Sequence, residues 1–250
     1  MTRWSTPAAL LAASLLSGMA VRAEEPASRV AADKQELAPL QAYVGQWRGV
    51  GQVRRGSSRG AWTERADWSW HFEQGRAELV AALADSKFFA KLRLQAGDVP
   101  GHFVLLATPG KSVTQPQSDR TLRYEGQRKD DALVLVDAAA QDALPNRISI
   151  RLVAGGDRMV VLYERRLGDD VYVGMGEVGA TRAGSSFAKR AASGPECVVT
   201  GGLGTIAVEY EGKKYFVCCS GCRDLFDEDP AGVLADYRQR KADEKAKLEQ

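Results

Sequence analysis

From Trp62 to Phe72 the chain alternates. Trp62, Ala66, Trp68, Trp70 and Phe72 fall on one face; Thr63, Arg65, Asp67, Ser69 and His71 fall on the other. A period of two predicts a half-buried strand. Short apolar runs of the same kind follow closely: "AELVAALA", "FFAKLRLQ", "HFVLLAT", "TLRYEG", "ALVLVDA", "RISIRLV", "RMVVLYERR" and "VYVGMGEVGATR". Ahead of them, "YVGQWRGVGQVRR" reads as a strand broken by glycines. "VAGGDRM" reads as a hairpin loop and "RKDD" as a turn. About ten short strands with no long helical pattern between them predict an antiparallel meander that closes into a barrel, over about residues 40–183. Residues 24–39, rich in Ala, Glu, Lys and Ser, read as a leader, frayed or in a short helix.

A second unit is predicted over 194–240, after a Ser, Ala and Gly-rich linker at 184–193. "IAVEYEGKKYFVC" is a hairpin turning at Glu211–Gly212. "CRDLFDED" suits a short helix, and Asp229–Pro230 suits the start of another, with Asp as cap and Pro in the first turn. Val233, Leu234 and Tyr237 share one side of that helix. Past Tyr237 the charged tail, with 241–250 as its end, is expected to fray. The fold class is thus mainly β: an antiparallel barrel, then a small α+β unit.

Composition narrows the partners. A formal net charge of +2 gives no reason to expect nucleic acid. The cationic cluster Arg238, Arg240, Lys241, Lys245 and Lys247 is interleaved with acids, as on a solvated helical face. The opening "MTRWSTPAALLAASLLSGMAVRAEE" has a positive start at Arg3, an apolar run, and small residues at Val21 and Ala23. That layout is a secretory signal peptide over residues 1–23. Its apolar run falls short of the roughly 20 residues that span a bilayer, and no later stretch could span. The expected mature protein begins near Glu24, is exported and soluble, and is periplasmic or secreted.

Three of the chain's four cysteines crowd into "YFVCCSGC". Twenty residues separate Cys197 from Cys218, three separate Cys218 from Cys222, and two separate Cys219 from Cys222. An oxidising compartment permits disulfides, but a staple gains most from closing a long loop. Only a bond from Cys197 to one of the trio would do so. A hairpin between Cys197 and Cys218 returns its end to its beginning and brings Cys197 beside the others. Converging thiolates suit a soft or borderline metal such as Cu(I) or Zn(II). A unit under about fifty residues is also short of core, which a metal can offset.

"CVVTG" followed by "VEYEGKKYFVCCSGCRDLFDEDP" resembles the YHS/TRASH family of small metal-binding domains. The match rests on Cys197, Cys218 and Cys222 with Tyr215, Phe216, Phe226 and Asp229–Pro230. It departs at Val198, where the family often carries Pro. The resemblance implies a treble-clef-like fold and heavy-metal binding, sensing or trafficking through those three cysteines, with copper or zinc as the metal. Cys219 falls on a position that varies in the family, so fourth ligand, redox partner and spectator stay open. Two alternatives remain: a disulfide from Cys197 to the trio, and thiol–disulfide exchange at Cys219 and Cys222. The latter needs a thiol lowered by a helix N-terminus, and the βαβ pattern of such enzymes is missing.

The first strand's Gly45, Trp47, Gly49 and Gly51 resemble the "VGxWxGxG" opening of lipocalin-like and nitrobindin-like barrels. That implies a calycin-type barrel whose interior holds a small apolar ligand. Nitrobindin-like proteins hold haem through a histidine late in the barrel, and the late strands here have none, so haem is not expected. His71 and His102 are the only histidines, and each reads as a surface or locally bonded residue. Glu64 is the one carboxylate on an apolar face. It is a candidate ligand contact inside the barrel, with a rim or partly exposed position the expectation. No catalytic motif appears, and the leading reading requires no enzyme activity.

Overall fold

The computed structural model describes residues 26–110, 121–137, 139, 143–183 and 194–248. The signal-peptide reading and the 184–193 linker lie outside the described residues.

Ten antiparallel strands close into a barrel in which each pairs with the next and the last returns to the first. They are β1 (Gly45–Gln52), β2 (Trp62–Glu73), β3 (Arg76–Ala84), β4 (Phe89–Ala96), β5 (His102–Pro109), β6 (Leu122–Lys129), β7 (Ala132–Val136), β8 (Arg147–Val153), β9 (Arg158–Gly168) and β10 (Val171–Arg182). The expected turns join them. Asp130, between β6 and β7, and Ala154 and Gly155, between β8 and β9, take positive φ. Closure pairs Trp47 with Arg182 and Gln52 with Glu177. A meander closed in this way leaves few edges for other chains to pair with.

The alternation read from β2 is the one the barrel uses. Trp68 and Trp70 are buried, as are Leu79, Leu94, Leu105, Tyr124, Ile148 and Tyr163 from the strands beyond. Each such large side chain contributes about 1.5–3 kcal/mol by leaving water. Glycine shapes the first strand: a Cβ on Gly51 would lie 2.0 Å from the Trp62 ring.

Residues read as a leader are built into the barrel. Helix α1 (Pro26–Leu37), packed against β3 and β4, runs into a 3-10 turn, Ala38–Tyr43. Leu37 and Leu40 are fully buried there. The Asp33 carboxylate accepts from Arg76 at 2.7 and 3.1 Å and from the Ala77 backbone N–H at 3.0 Å. Tyr43 donates to the Ile150 carbonyl, and the Trp47 indole donates to the Tyr43 carbonyl.

The C-terminal unit is the hairpin β11 (Ile206–Tyr210) and β12 (Lys213–Val217), then α2 (Ser220–Glu228) and α3 (Pro230–Leu248). Its turn is at Glu211–Gly212, both at positive φ. Asp229 caps α3 by accepting from the Gly232 N–H at 2.9 Å. The tail departs from expectation. Instead of fraying past Tyr237, α3 continues to Leu248 because its basic residues have acidic partners: Arg240 and Lys241 both pair with Glu196. Among the described residues, no helix is long and apolar enough to cross a membrane.

Two barrel details matter for the site. β1 stops pairing with β2 at Gly45–Trp68, whereas β2 runs on to Glu73 bound only to β3. The outer edge of β2 from Ser69 onward is therefore left open by β1. The C-terminal unit covers it: α2 begins against β2 so closely that a Cβ on Gly221 would lie 1.6 Å from the Trp70 carbonyl oxygen.

Candidate metal centre

Cys197 sits at the head of a tight turn that precedes the hairpin. Its N–H donates to the Gly202 carbonyl, and its own carbonyl accepts from the Gly201 N–H. Cys218 follows the last residue of β12, and Cys222 lies in the first turn of α2. Val198 donates to the Phe216 carbonyl, which ties the turn to the strand leading into Cys218. The antiparallel hairpin thus returns Cys218 to Cys197, as the sequence spacing requires. The packing beneath is aromatic: Phe226 is fully buried, 6.1 Å from Tyr215.

The sulfurs of Cys197, Cys218 and Cys222 all lie within 4.8 Å of one another. Cys218 Sγ is 3.5 Å from Cys222 Sγ, far beyond a disulfide bond of about 2.05 Å. All four cysteines are free and buried. A group of three thiols so placed could hold a metal ion: sulfurs about 2.3 Å from a common centre need only small side-chain adjustments from these positions.

The fourth thiol adjoins the trio and has a partner on the barrel. Cys219 occupies the N-cap position of α2 in extended conformation, and its Sγ accepts the Trp70 backbone N–H at 3.3 Å. It touches Cys218 Sγ at 3.8 Å but is outside the mutually close trio.

Protons are shared unequally in this cluster. Hydrogen bonds from Cys218 and then Cys222 hold Cys197 well below the usual thiol range. The same two donors hold Cys219 low. Cys218 is pushed up by donating to Cys197 and Cys219, and burial pushes Cys222 up. Metal binding at the trio must expel the protons that its thiols carry.

Two basic residues belong to this region. Burial, then Arg240, lowers the Lys34 amine, while Asp236, Cys222 and Cys197 act the other way. The Arg240 guanidinium donates to the carbonyls of Cys197, Val198 and Val199, each at 3.4 Å. It braces the turn that carries Cys197.

The barrel also reaches into the site. Gln41, in the 3-10 turn, accepts the Trp70 indole N–H at 2.7 Å through its carbonyl and directs its amide N–H at Cys218 Sγ, 3.7 Å away. Thr200 Oγ1 lies 3.6 Å from the same sulfur. A Cβ on Gly202 would meet Gln41 Nε2 at 2.3 Å. Sequence reading assigned Trp70 to the core and Arg240 to a solvated helical face, and passed over Gln41, Thr200 and Lys34. No local pattern marks Gln41 and Trp70, which meet the cysteines only after the two halves of the chain dock.

The remaining candidates fall elsewhere. Glu64 corrects its expected rim position: it is 5 % exposed, inside the barrel wall, and accepts the Trp62 indole N–H at 3.2 Å. Burial raises its pKa, opposed by Ser86 and Trp62. The strand's alternation turns it inward with Ala66 and Trp68, and the neighbouring indole supplies the donor that makes this tolerable. His71 lies between Glu73 and Glu78 at 3.2 and 3.3 Å, and His102 is exposed at the start of β5.

No family model matches the chain, and no curated protein matches it. Among solved structures the chain is similar to the "Crystal Structure of Rv2717c from M. tuberculosis", at 17% identity over 59% of this chain and 96% of that chain, with a TM-score of 0.38.

Proposed function

We propose that this is an exported metal-binding protein that captures or traffics a thiophilic metal, copper or zinc, through Cys197, Cys218 and Cys222. One observation carries the reading: three buried sulfurs converge within 4.8 Å at the end of a hairpin. Soft thiolate donors favour soft and borderline cations. The likeness of this segment to YHS/TRASH domains supports the same conclusion. Export rests on the N-terminal pattern alone, and a mature chain starting near Glu24 would be its signature. A small apolar ligand in the barrel belongs to this reading as a secondary role suggested by the calycin-like first strand.

The test is elemental analysis of the full mature chain purified under reducing conditions, with a free-thiol count on the same sample. One soft metal ion per chain is expected, lost in the double variant Cys218→Ser, Cys222→Ser. Unchanged metal content in that variant overturns the reading. Thiol–disulfide exchange is the second reading, favoured by the lowered Cys219 thiol at the N-terminus of α2. Turnover in a disulfide reduction assay that disappears in Cys219→Ser would establish it instead.

A further inference from the structure

Gln41 precedes Cys218 by 177 positions, yet its side-chain amide is held against that sulfur from both sides. The Trp70 indole can only donate, so the Gln41 carbonyl must face it, and does so at 2.7 Å. That leaves the amide nitrogen on the other side, 3.7 Å from Cys218 Sγ. Trp70 is 1 % exposed, so water does not compete for the bond that sets this orientation. The cysteine unit closes over the same amide at Gly202, where a Cβ would lie 2.3 Å from Nε2. Within its own unit Cys218 meets the Thr200 hydroxyl at 3.6 Å.

We infer that Gln41 is a positioning residue of the metal centre, a barrel-side group that orients Cys218 and stabilises its sulfur in the metal-bound state. This rests on the metal-binding reading above. A metal-bound thiolate keeps lone pairs and part of its negative charge, and an amide N–H is a donor that answers both. The amide nitrogen offers hydrogens and no lone pair to a cation, so Gln41 acts through Cys218 and is not a ligand. An amide free to rotate could turn its oxygen to the sulfur instead; the Trp70 bond keeps the donor in place. The contact comes from the 3-10 turn ahead of β1, so the barrel half of the chain contributes to a site whose sulfurs all lie in the other half. Outer contacts of this kind typically change metal affinity about 10–100-fold.

The test uses the full mature chain, reduced, with cadmium(II) as a soft probe that undergoes no redox change. Competition with a chelator gives its affinity, and the sulfur-to-cadmium charge-transfer band reports the charge held on the bound sulfurs. Gln41→Leu removes the donor. Gln41→Glu keeps an acceptor for Trp70 and, ionised at about pH 8, turns an oxygen towards Cys218. Both variants should weaken cadmium binding about 10–100-fold. Both should also move the band to longer wavelength, because a sulfur without its N–H donor holds its electrons less tightly. Gly126→Ala, which disturbs β6 and β7 and leaves Gln41 in place, should bind as the wild type does. Affinity and band unchanged in both Gln41 variants overturn the inference and leave metal binding intact. So does an equal loss of affinity in Gly126→Ala with no band shift in the Gln41 variants, since stability alone would then account for the effect. A wild type that takes up no cadmium fails the underlying reading instead.

Discussion

The backbone N–H of Trp70 donates to the sulfur of Cys219 across 149 positions of sequence, at 3.3 Å. One residue belongs to the barrel and the other to the cysteine unit. The bond satisfies a strand-edge donor that would otherwise face the interior unpaired, which costs about 1–3 kcal/mol. It also buries the thiol that accepts it. Native, reduced protein is therefore expected to resist alkylation at all four cysteines, while denatured protein takes four labels. Mass spectrometry after brief exposure to iodoacetamide checks this. Rapid native labelling of Cys219 would show that the unit does not stay docked.

Glu64 sets a pH dependence. Its folded pKa lies above the ordinary 4.5 because of burial. A carboxyl raised in this way gives its stabilising contribution below the unfolded value and loses it as pH rises through the folded value. Glu64→Gln removes the charged form. The variant should match the wild type below about pH 4.5 and gain on it at neutral pH, as read from Tm across a pH series. A wild type whose advantage grows with pH would contradict this.

Asp33 fastens α1 to the barrel. It accepts two bonds from Arg76 and one from the Ala77 N–H, and the latter has no access to water once α1 is docked. Asp33→Ala should cost about 1–3 kcal/mol. Arg76 is partly exposed and can recover hydration, which keeps the loss moderate. Urea unfolding measures it, and a loss below about 0.5 kcal/mol would argue that α1 is not fastened here.

Gly126 of β6 lies opposite Leu135 of β7, with no room for a side chain. A Cβ there would lie 1.9 Å from the Val134 carbonyl oxygen, a backbone atom that cannot swing away. Gly126→Ala should destabilise the barrel by about 1–3 kcal/mol or more, by the overpacking mechanism. Ala at this position without a change in Tm would mean that the strands separate readily at this pair.

Arg240 holds the turn that carries Cys197 by donating to three successive carbonyls. Arg240→Met keeps the stem and removes the donors. Metal-free protein should lose protection of the Cys197 and Gly201 amides in hydrogen exchange, and a soft metal should restore most of it. Unaltered exchange would place the bracing of that turn elsewhere.

Much of this architecture was legible before any coordinates. Alternation at Trp62 to Phe72 gave β2 and its inward face, because strand periodicity is a local property of backbone geometry. Turn chemistry at Asp130, Glu211–Gly212 and Asp229–Pro230 marked element ends for the same reason. The spacing of Cys197, Cys218 and Cys222 announced their convergence, since an antiparallel hairpin must bring its two ends together. The inward turn of Glu64 followed from the same alternation, yet its burial did not, because the compensating Trp62 indole is a side-chain contact. What the tertiary structure alone decided is the relation between the halves. Gln41 and Trp70 carry no pattern that links them to a thiol. They reach the cysteines because β2 outruns β1, the exposed edge must be covered, and Gly221 lets α2 cover it. Local patterns encode elements and short-range closures; a contact made by docking depends on every element between, and only the folded chain adds those up.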